Sequence, residues 1–365
     1  MQKVIINATN IGHKLDGIGV YTLNLLIELS KLNTGINFIV FLNRNCEQHI
    51  RGLKFPDNFS IRWVKHLVSP DYGFRGHFLR LLYSNLLSLR YRKSMLFNTS
   101  QLEAMFFRTK QIICIQDIIP LLFKKDHKKQ FFFYRYILKH ALNSAKHIIT
   151  TSNHTRELVL SFYKLSNDKL HVIHLGIQDI YIKEAETCNQ ERENFILYAG
   201  RIAPTKNVIG ILKAFELIKE KLDYKLIIAG SGKENIKEKS YIDNDRVLFK
   251  GYISNNEMLR LYRKALLFVF PSFYEGFGLP PLEAMACGCP VVVSNVASLP
   301  EVCGDAAYYV NPYNIESIAE GMYKVLTDES LRRSLIQKGL ERAKLFSWEK
   351  SAKEHLEVFK EVLNS

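Results

Sequence analysis

Residues 268–304, FVFPSFYEGFGLPPLEAMACGCPVVVSNVASLPEVCG, limit the possible folds more than any other stretch of the chain. They read as strand, glycine-containing turn, helix, strand and turn. Proline is tolerated at the first helical position, where its missing N–H costs nothing, so a helix is expected from near Pro280 to Gly288. The turn before it leaves backbone N–H groups at the positive end of a helix dipole, which suits phosphate or sugar oxygens. Glu275 falls in that turn and Glu283 in the first turns of the helix, where both are placed to face one ligand.

The same alternation runs through the rest of the chain. Apolar runs at 3–9, 37–43, 61–66, 95–100, 112–117, 147–152 and 170–177 read as strands, with helical patterns between several of them. A second series follows at 195–201, 224–230, 247–253, 266–272, 290–295 and 306–310, with a helix expected over Lys206–Lys221. Strands alternating with helices predict parallel sheets covered on both faces. The fold class expected is α/β, with two Rossmann-like doubly wound domains. The irregular, acidic segment 179–193 reads as the linker between a domain over 1–178 and one over 194–346. Residues 347–365 read as a C-terminal helix that could pack back on the first domain. Ligands bind at the carboxyl ends of such strands, so the expected site is the cleft between the domains.

Charge divides the chain. Residues 1–178 hold 25 Lys+Arg against 10 Asp+Glu, and residues 179–365 hold 25 against 26. The basic half therefore faces something anionic. Two segments in it, His77–Lys93 and Lys124–His140, mix Lys and Arg with Leu, Phe and Tyr. Such helices can lie on an anionic membrane surface, and the competing reading is core residues backed by a solvated basic face. No zinc-finger or RNA-recognition signature appears, so no nucleic-acid partner is expected. The N-terminus reads as a strand rather than a signal peptide, and no apolar run is long enough to span a bilayer. The six cysteines, Cys46, Cys114, Cys188, Cys287, Cys289 and Cys303, lack metal-ligand spacing and read as small buried residues of a reducing cytosol.

Three other segments offer chemistry. Asp16-Gly17-Ile18-Gly19 follows the first strand, either as a backbone cradle for a ligand or as a plain tight turn. Gly200-Arg201-Ile202-Ala203-Pro204-Thr205-Lys206-Asn207 opens the second domain. Its two cations, with the turn at Glu275, are suited to a diphosphate, although each taken alone reads as an ordinary surface cation. Asp243-Asn244-Asp245 has the Asp-x-Asp form, but it sits in a turn context, and no metal is expected there.

Taken together, Gly-Arg…Lys-Asn, Glu275-Gly-Phe-Gly…Glu283, Ala-Cys-Gly-Cys-Pro-Val-Val, the Gly17-Ile18-Gly19 turn and Phe-Ser-Trp near the end resemble the retaining glycosyltransferases of family 4. The resemblance extends over nearly the whole chain, and cell-surface polysaccharide mannosyltransferases of the O-antigen type are the branch it suggests. It implies the GT-B architecture, two Rossmann-like domains facing across a cleft, and a nucleotide-sugar donor. By that resemblance Arg201 and Lys206 would hold the donor diphosphate and stabilise it as leaving group. Glu275 would contact the hydroxyls of the transferred sugar, and the amides of Gly276, Phe277, Gly278 and Leu279 would hold sugar and phosphate oxygens. Glu283 would accept from the ribose hydroxyls. The base would lie near Tyr252 and Ile253, and Gly17, Gly19 and Asp117 would complete the donor site. Where the family often carries His-Asp, this chain has Gln116-Asp117. Gln116 is expected to keep the sugar contact without titrating.

The expected activity is transfer of a hexose, first mannose from GDP-mannose, to a lipid-linked or polysaccharide acceptor. It is expected without a metal or other cofactor, on the cytoplasmic face of the cell membrane. Two alternatives stand beside it, a nucleotide-sugar epimerase of similar architecture and a non-catalytic membrane-associated subunit of a polysaccharide assembly complex.

Overall fold

The computed structural model describes residues 2–105, 110–183, 191–232, 234, 236 and 245–364. Asp243, Asn244 and Cys188 lie outside the described residues, as does part of the expected linker. The chain forms two compact units, Met1–Gly176 with Trp348–Ser365, and Ile177–Ser347.

In the first unit the strands are β1 (Lys3–Asn7), β2 (Asn37–Asn43), β3 (Phe59–Val64), β4 (Met95–Asn98), β5 (Gln111–Ile115), β6 (His147–Thr150) and β7 (Leu170–Val172). Their order across the sheet is β3-β2-β1-β4-β5-β6-β7, and every pairing is parallel. In the second unit they are β8 (Glu193–Ala199), β9 (Lys225–Ala229), β10 (Val247–Gly251), β11 (Ala265–Phe270), β12 (Val291–Ser294) and β13 (Tyr308–Val310). These run β10-β9-β8-β11-β12-β13, again all parallel.

The sequence explains why the central strands lie inside. Val4, Ile5 and Ile6 of β1, Met95–Phe97 of β4 and Leu267–Phe270 of β11 are all buried. A parallel strand covered on both faces needs such a continuous apolar run, because alternation would place polar groups in the core. Each fully buried Ile or Phe contributes about 1.5–3 kcal/mol. Edge strand β3 shows the opposite pattern, with Ser60, Trp63 and Arg62 exposed to solvent.

In both sheets the winding direction reverses beside the first strand of the unit, between β1 and β4 and between β8 and β11. At such a switch point the loops leaving the two strands diverge and open a crevice at their carboxyl ends. The order therefore places the loop after β8, residues 200–207, beside the loop after β11, residues 271–278.

The helix Trp348–Asn364 belongs to the first unit and lies on the helix Gly17–Lys31. Tyr21 and His355 are 2.7 Å apart between hydroxyl and Nε2, and the Phe97 and Phe359 rings are 5.0 Å apart between centroids. Burial holds the His355 imidazole down to about 4, so it is neutral in that contact.

Candidate active site

At the second unit's switch point, Lys206 Nζ stands 2.7 Å from both carboxylate oxygens of Glu275. The pair joins the two loops that the strand order brings together. Glu275 is only 7% exposed, so its charge needs a fixed partner. Arg201 lies on the same loop as Lys206 and is exposed, and among the described residues its guanidinium has no ion-pair partner.

Lys206 does not open a helix, as the sequence reading has it. Pro204–Lys206 form a single 3₁₀ turn, and the helix runs Val208–Ile218. Asn207 breaks the two apart with a left-handed φ of 55°. Asn tolerates that conformation, and here its Nδ2 donates to Pro271 O at 3.1 Å and to Pro312 O at 2.8 Å. Asn207 thus ties the β8 loop to the β11 loop and fixes the position from which Lys206 reaches Glu275.

The turn after β11 is shaped by a residue that spacing does not reveal. Ser298 Oγ lies 2.9 Å from Glu275 O and 2.7 Å from Phe277 O, and donates its one proton between them. In a trans peptide the N–H points opposite to the carbonyl. Drawing these two carbonyls toward Ser298 therefore turns the N–H groups of Gly276 and Gly278 to the other side. Gly278 has φ 111° and forms the N-cap of the helix Leu279–Ala286. A Cβ there would stand 2.6 Å from Leu299 Cδ2, so neither the backbone conformation nor the space admits a side chain. The helix begins at Leu279 with Pro280 in its first turn and ends two residues before Gly288.

Glu283 sits one turn into that helix and turns toward protein. Tyr262 donates its hydroxyl to Glu283 Oε2 at 3.1 Å. Burial pushes the Glu283 carboxyl up to about 7, and the Tyr262 hydrogen bond only partly offsets this. Glu275 and Glu283 thus have different surroundings, one on a lysine and one on a tyrosine. Tyr252 is exposed and Ile253 half-buried, just past β10 at the sheet edge.

In the first unit the Gly17–Gly19 turn starts a helix whose N-cap is Asp16. Asp16 Oδ1 accepts from Gly19 N at 2.8 Å, so that amide is already engaged. A Cβ on Gly17 would meet nothing within 4 Å, which leaves its side open. Beneath lies a buried ion pair, with Arg80 Nε on Glu103 Oε1 at 3.0 Å and Ser100 donating to Glu103 Oε2 at 2.5 Å. Gln116 follows β5, two strands from β1, and is buried. Its amide Nε2 is 3.3 Å from Cys114 Sγ, and its backbone N–H donates to Gln101 Oε1 at 3.2 Å. Asp117 accepts from Ile119 N at 3.0 Å and opens a short helical turn.

Comparison with known proteins agrees with this architecture. Residues 15–179 match the family described as Glycosyltransferase Family 4, and residues 181–342 match Glycosyl transferases group 1. The chain is 34% identical over 238 residues to the O-antigen chain mannosyltransferase B of Escherichia coli, which covers 61% of this chain and 62% of that protein. It is 30% identical over 279 residues to the serotype-specific mannosyltransferase WbdA of Escherichia coli, covering 70% of this chain and 34% of that protein. The aligned stretches therefore span less than two thirds of these relatives' own lengths. Among solved structures, sucrose-phosphate synthase (tll1590) from Thermosynechococcus elongatus superposes over 100% of both chains with a TM-score of 0.78 at 20% identity, a likeness of fold. Matched in tandem along residues 15–179 and 181–342, the chain belongs to the GT-B glycosyltransferases, family 4 in its first half and group 1 in its second.

Proposed function

We propose that the chain is a retaining hexosyltransferase that moves a sugar from a nucleotide sugar to a lipid-linked or polysaccharide acceptor in cell-surface glycan synthesis, working at the cytoplasmic face of the membrane. The observation that carries this reading is the Lys206–Glu275 pair, held at a switch point by Asn207 and Ser298 and flanked by the exposed Arg201, which has no ion-pair partner among the described residues. In the reaction the bond between the anomeric carbon and the diphosphate breaks, and the acceptor oxygen takes the sugar. The acceptor's proton passes to the departing phosphate. Arg201 and Lys206 neutralise the charge that grows on that phosphate, where fixed cations lower the barrier most. Glu275 exchanges Lys206 for sugar hydroxyls when the donor enters. Gly276 and Gly278 N–H groups, turned away from Ser298, receive phosphate or sugar oxygens. Glu283 accepts from the ribose, the base rests near Tyr252 and Ile253, and Gln116 touches the sugar without titrating.

Mannose from GDP-mannose is the first donor to test, since the two relatives aligned above are named mannosyltransferases. The test is release of nucleoside diphosphate from a panel of nucleotide sugars. GDP is expected from GDP-mannose faster than any diphosphate from UDP-sugars, and the rate should survive EDTA because Arg201 and Lys206 supply the charge. Absence of release from every donor would overturn the proposal, as would activity lost to EDTA and restored by Mn²⁺.

The acceptor side of the proposal includes an anionic membrane surface. Phe78, Leu82, Leu86 and Leu89 recur at helical spacing on Gly73–Arg90 and are 51%, 49%, 63% and 72% exposed. Phe132 and Tyr136 are exposed on the neighbouring segment, and Lys129 Nζ lies 5.4 Å from the centre of the Phe74 ring, joining the two. An apolar stripe bordered by basic side chains suits the headgroup region of an anionic bilayer. Among the described residues no helix is long and apolar enough to cross one. In flotation, the protein is expected to rise with phosphatidylglycerol vesicles and to stay down with neutral ones. Replacing Leu82, Leu86 and Leu89 by Ser should reduce the floated fraction at least about tenfold, as loss of this much apolar burial requires. Equal flotation of the triple variant would contradict the surface.

A further inference from the structure

Away from the donor loops, a cluster of three side chains lies at the other edge of the first sheet. His147 opens β6 and His171 lies in the edge strand β7. Ile149 pairs with His171 across these strands, and His147 stands two residues before Ile149. Partners in a parallel ladder share a face, as do residues two apart, so both imidazoles project on the same side. The C-terminal helix Trp348–Asn364 brings Glu361 to them. The three residues come from three separate elements of one compact unit.

We propose that His147, His171 and Glu361 form a three-ligand site for a divalent transition-metal ion, zinc above all, that fastens the C-terminal helix to the edge of the first sheet. One ring nitrogen of each histidine and one Glu361 oxygen lie mutually within 4.8 Å. His171 Nε2 is 2.9 Å from His147 Nδ1, Glu361 Oε2 is 3.6 Å from His147 Nε2, and it is 3.9 Å from His171 Nε2. Ligand atoms about 2.0–2.1 Å from a tetrahedral zinc stand about 3.3 Å from each other, so small side-chain shifts close the set. The rings are 4.7 Å apart and inclined at 71°, an orientation in which two nitrogen lone pairs can converge. Glu361 is 54% exposed, which leaves an entry path and a fourth position for water.

Charge and protonation favour a metal here. Burial lowers the pKa of both histidines, His171 lowers that of His147 further, and Glu361 only partly offsets this, so both rings are neutral near pH 7. Lys146 and Asp168 also face His147, with opposing effects. Two neutral rings share one proton and offer the Glu361 carboxylate no cation. A divalent ion supplies that charge and takes the place of the shared proton, which moves to the other nitrogen of the donor ring as that ring changes tautomer. Imidazole and carboxylate ligands suit zinc, and in the divalent series copper would bind tighter still.

The test uses the full chain, stripped with a chelator and titrated with zinc chloride by calorimetry. One ion is expected to bind per chain and to raise the melting temperature. Cobalt in its place should show the visible absorption of a tetrahedral ion. His171→Asn and Glu361→Gln should each weaken zinc binding about tenfold or more, and His140→Asn, at an exposed histidine of the same unit, should not. Glu361 is exposed, so its variant folds and remains informative. Absence of saturable one-to-one binding would overturn the site, as would unchanged affinity in Glu361→Gln and His171→Asn. These readouts do not depend on the donor chemistry, so their failure would leave the proposed glycosyl transfer standing.

Discussion

Lys206→Ala is expected to lower kcat on the preferred donor about 10²–10³-fold, the usual cost of removing one group that stabilises charge formed in the transition state. The loss should fall mainly on kcat rather than KM, because the leaving diphosphate gains its charge as the bond breaks. A second effect follows from the free protein. Lys206 is the cation on both oxygens of the nearly buried Glu275, and its removal leaves that carboxylate without a partner. The variant should lose about 1–3 kcal/mol of stability. Lys206→Ala with Glu275→Ala should be more stable than Lys206→Ala alone, since the second change removes the stranded charge. Steady-state kinetics and denaturant melts check both parts. A Lys206→Ala enzyme with wild-type kcat would show that the cation acts only within the resting protein.

Glu283→Gln is expected to stabilise the protein while weakening nucleotide binding. The folded carboxyl titrates at about 7 against an ordinary value of 4.5. Between those two pH values the folded chain holds a proton that the unfolded chain releases, so native stability falls as pH rises through the window and stays low above it. Gln keeps the size and can still accept from Tyr262. Its advantage should be about 3 kcal/mol at pH 8 and should shrink to about 1 kcal/mol or less at pH 5. On the proposed role of Glu283 at the ribose, the nucleotide loses a charged acceptor, and its affinity should drop about 10–100-fold. Melts at the two pH values and calorimetric titration with GDP read the two halves separately. An equal shift in melting temperature at pH 5 and pH 8 would contradict the raised carboxyl. A site that keeps a costly buried acid gives up stability for function, and this pH signature would expose the exchange.

How much of this was legible in the residues depends on range. The strands could be read because buried parallel strands are unbroken apolar runs such as VIIN, LLFVF and VVVS, which need no partner to be recognised. Phe59–Val64 begins two residues earlier than the alternation suggests, as expected of an edge strand whose pattern is weak. The turn–helix unit after β11 was also local, since glycine and proline fix it within a few positions. Lys206 was misplaced because the helix start depends on Asn207, whose left-handed backbone is held by Pro271 and Pro312 from distant loops. Ser298 could not be found by spacing, because it meets Glu275 and Phe277 only when the chain returns after β12. Glu283 could be picked out as a carboxylate, but its raised pKa comes from burial in the folded core, which the Tyr262 hydrogen bond from a different helix only partly offsets. The Gly17–Gly19 turn left two readings open. The structure shows Gly19 N–H held by Asp16 and Gly17 open, which narrows any ligand contact there to Gly17.

Turnover by Glu275→Ala tests the central claim most directly. Nucleoside diphosphate release and sugar transfer would be measured for wild type and variant with the preferred donor, after circular dichroism shows that both are folded. A loss of about 10²–10³-fold is predicted, because Glu275 would be the carboxylate on the transferred sugar. A folded Glu275→Ala protein that releases nucleoside diphosphate at the wild-type rate would contradict the account and favour a binding subunit over an enzyme.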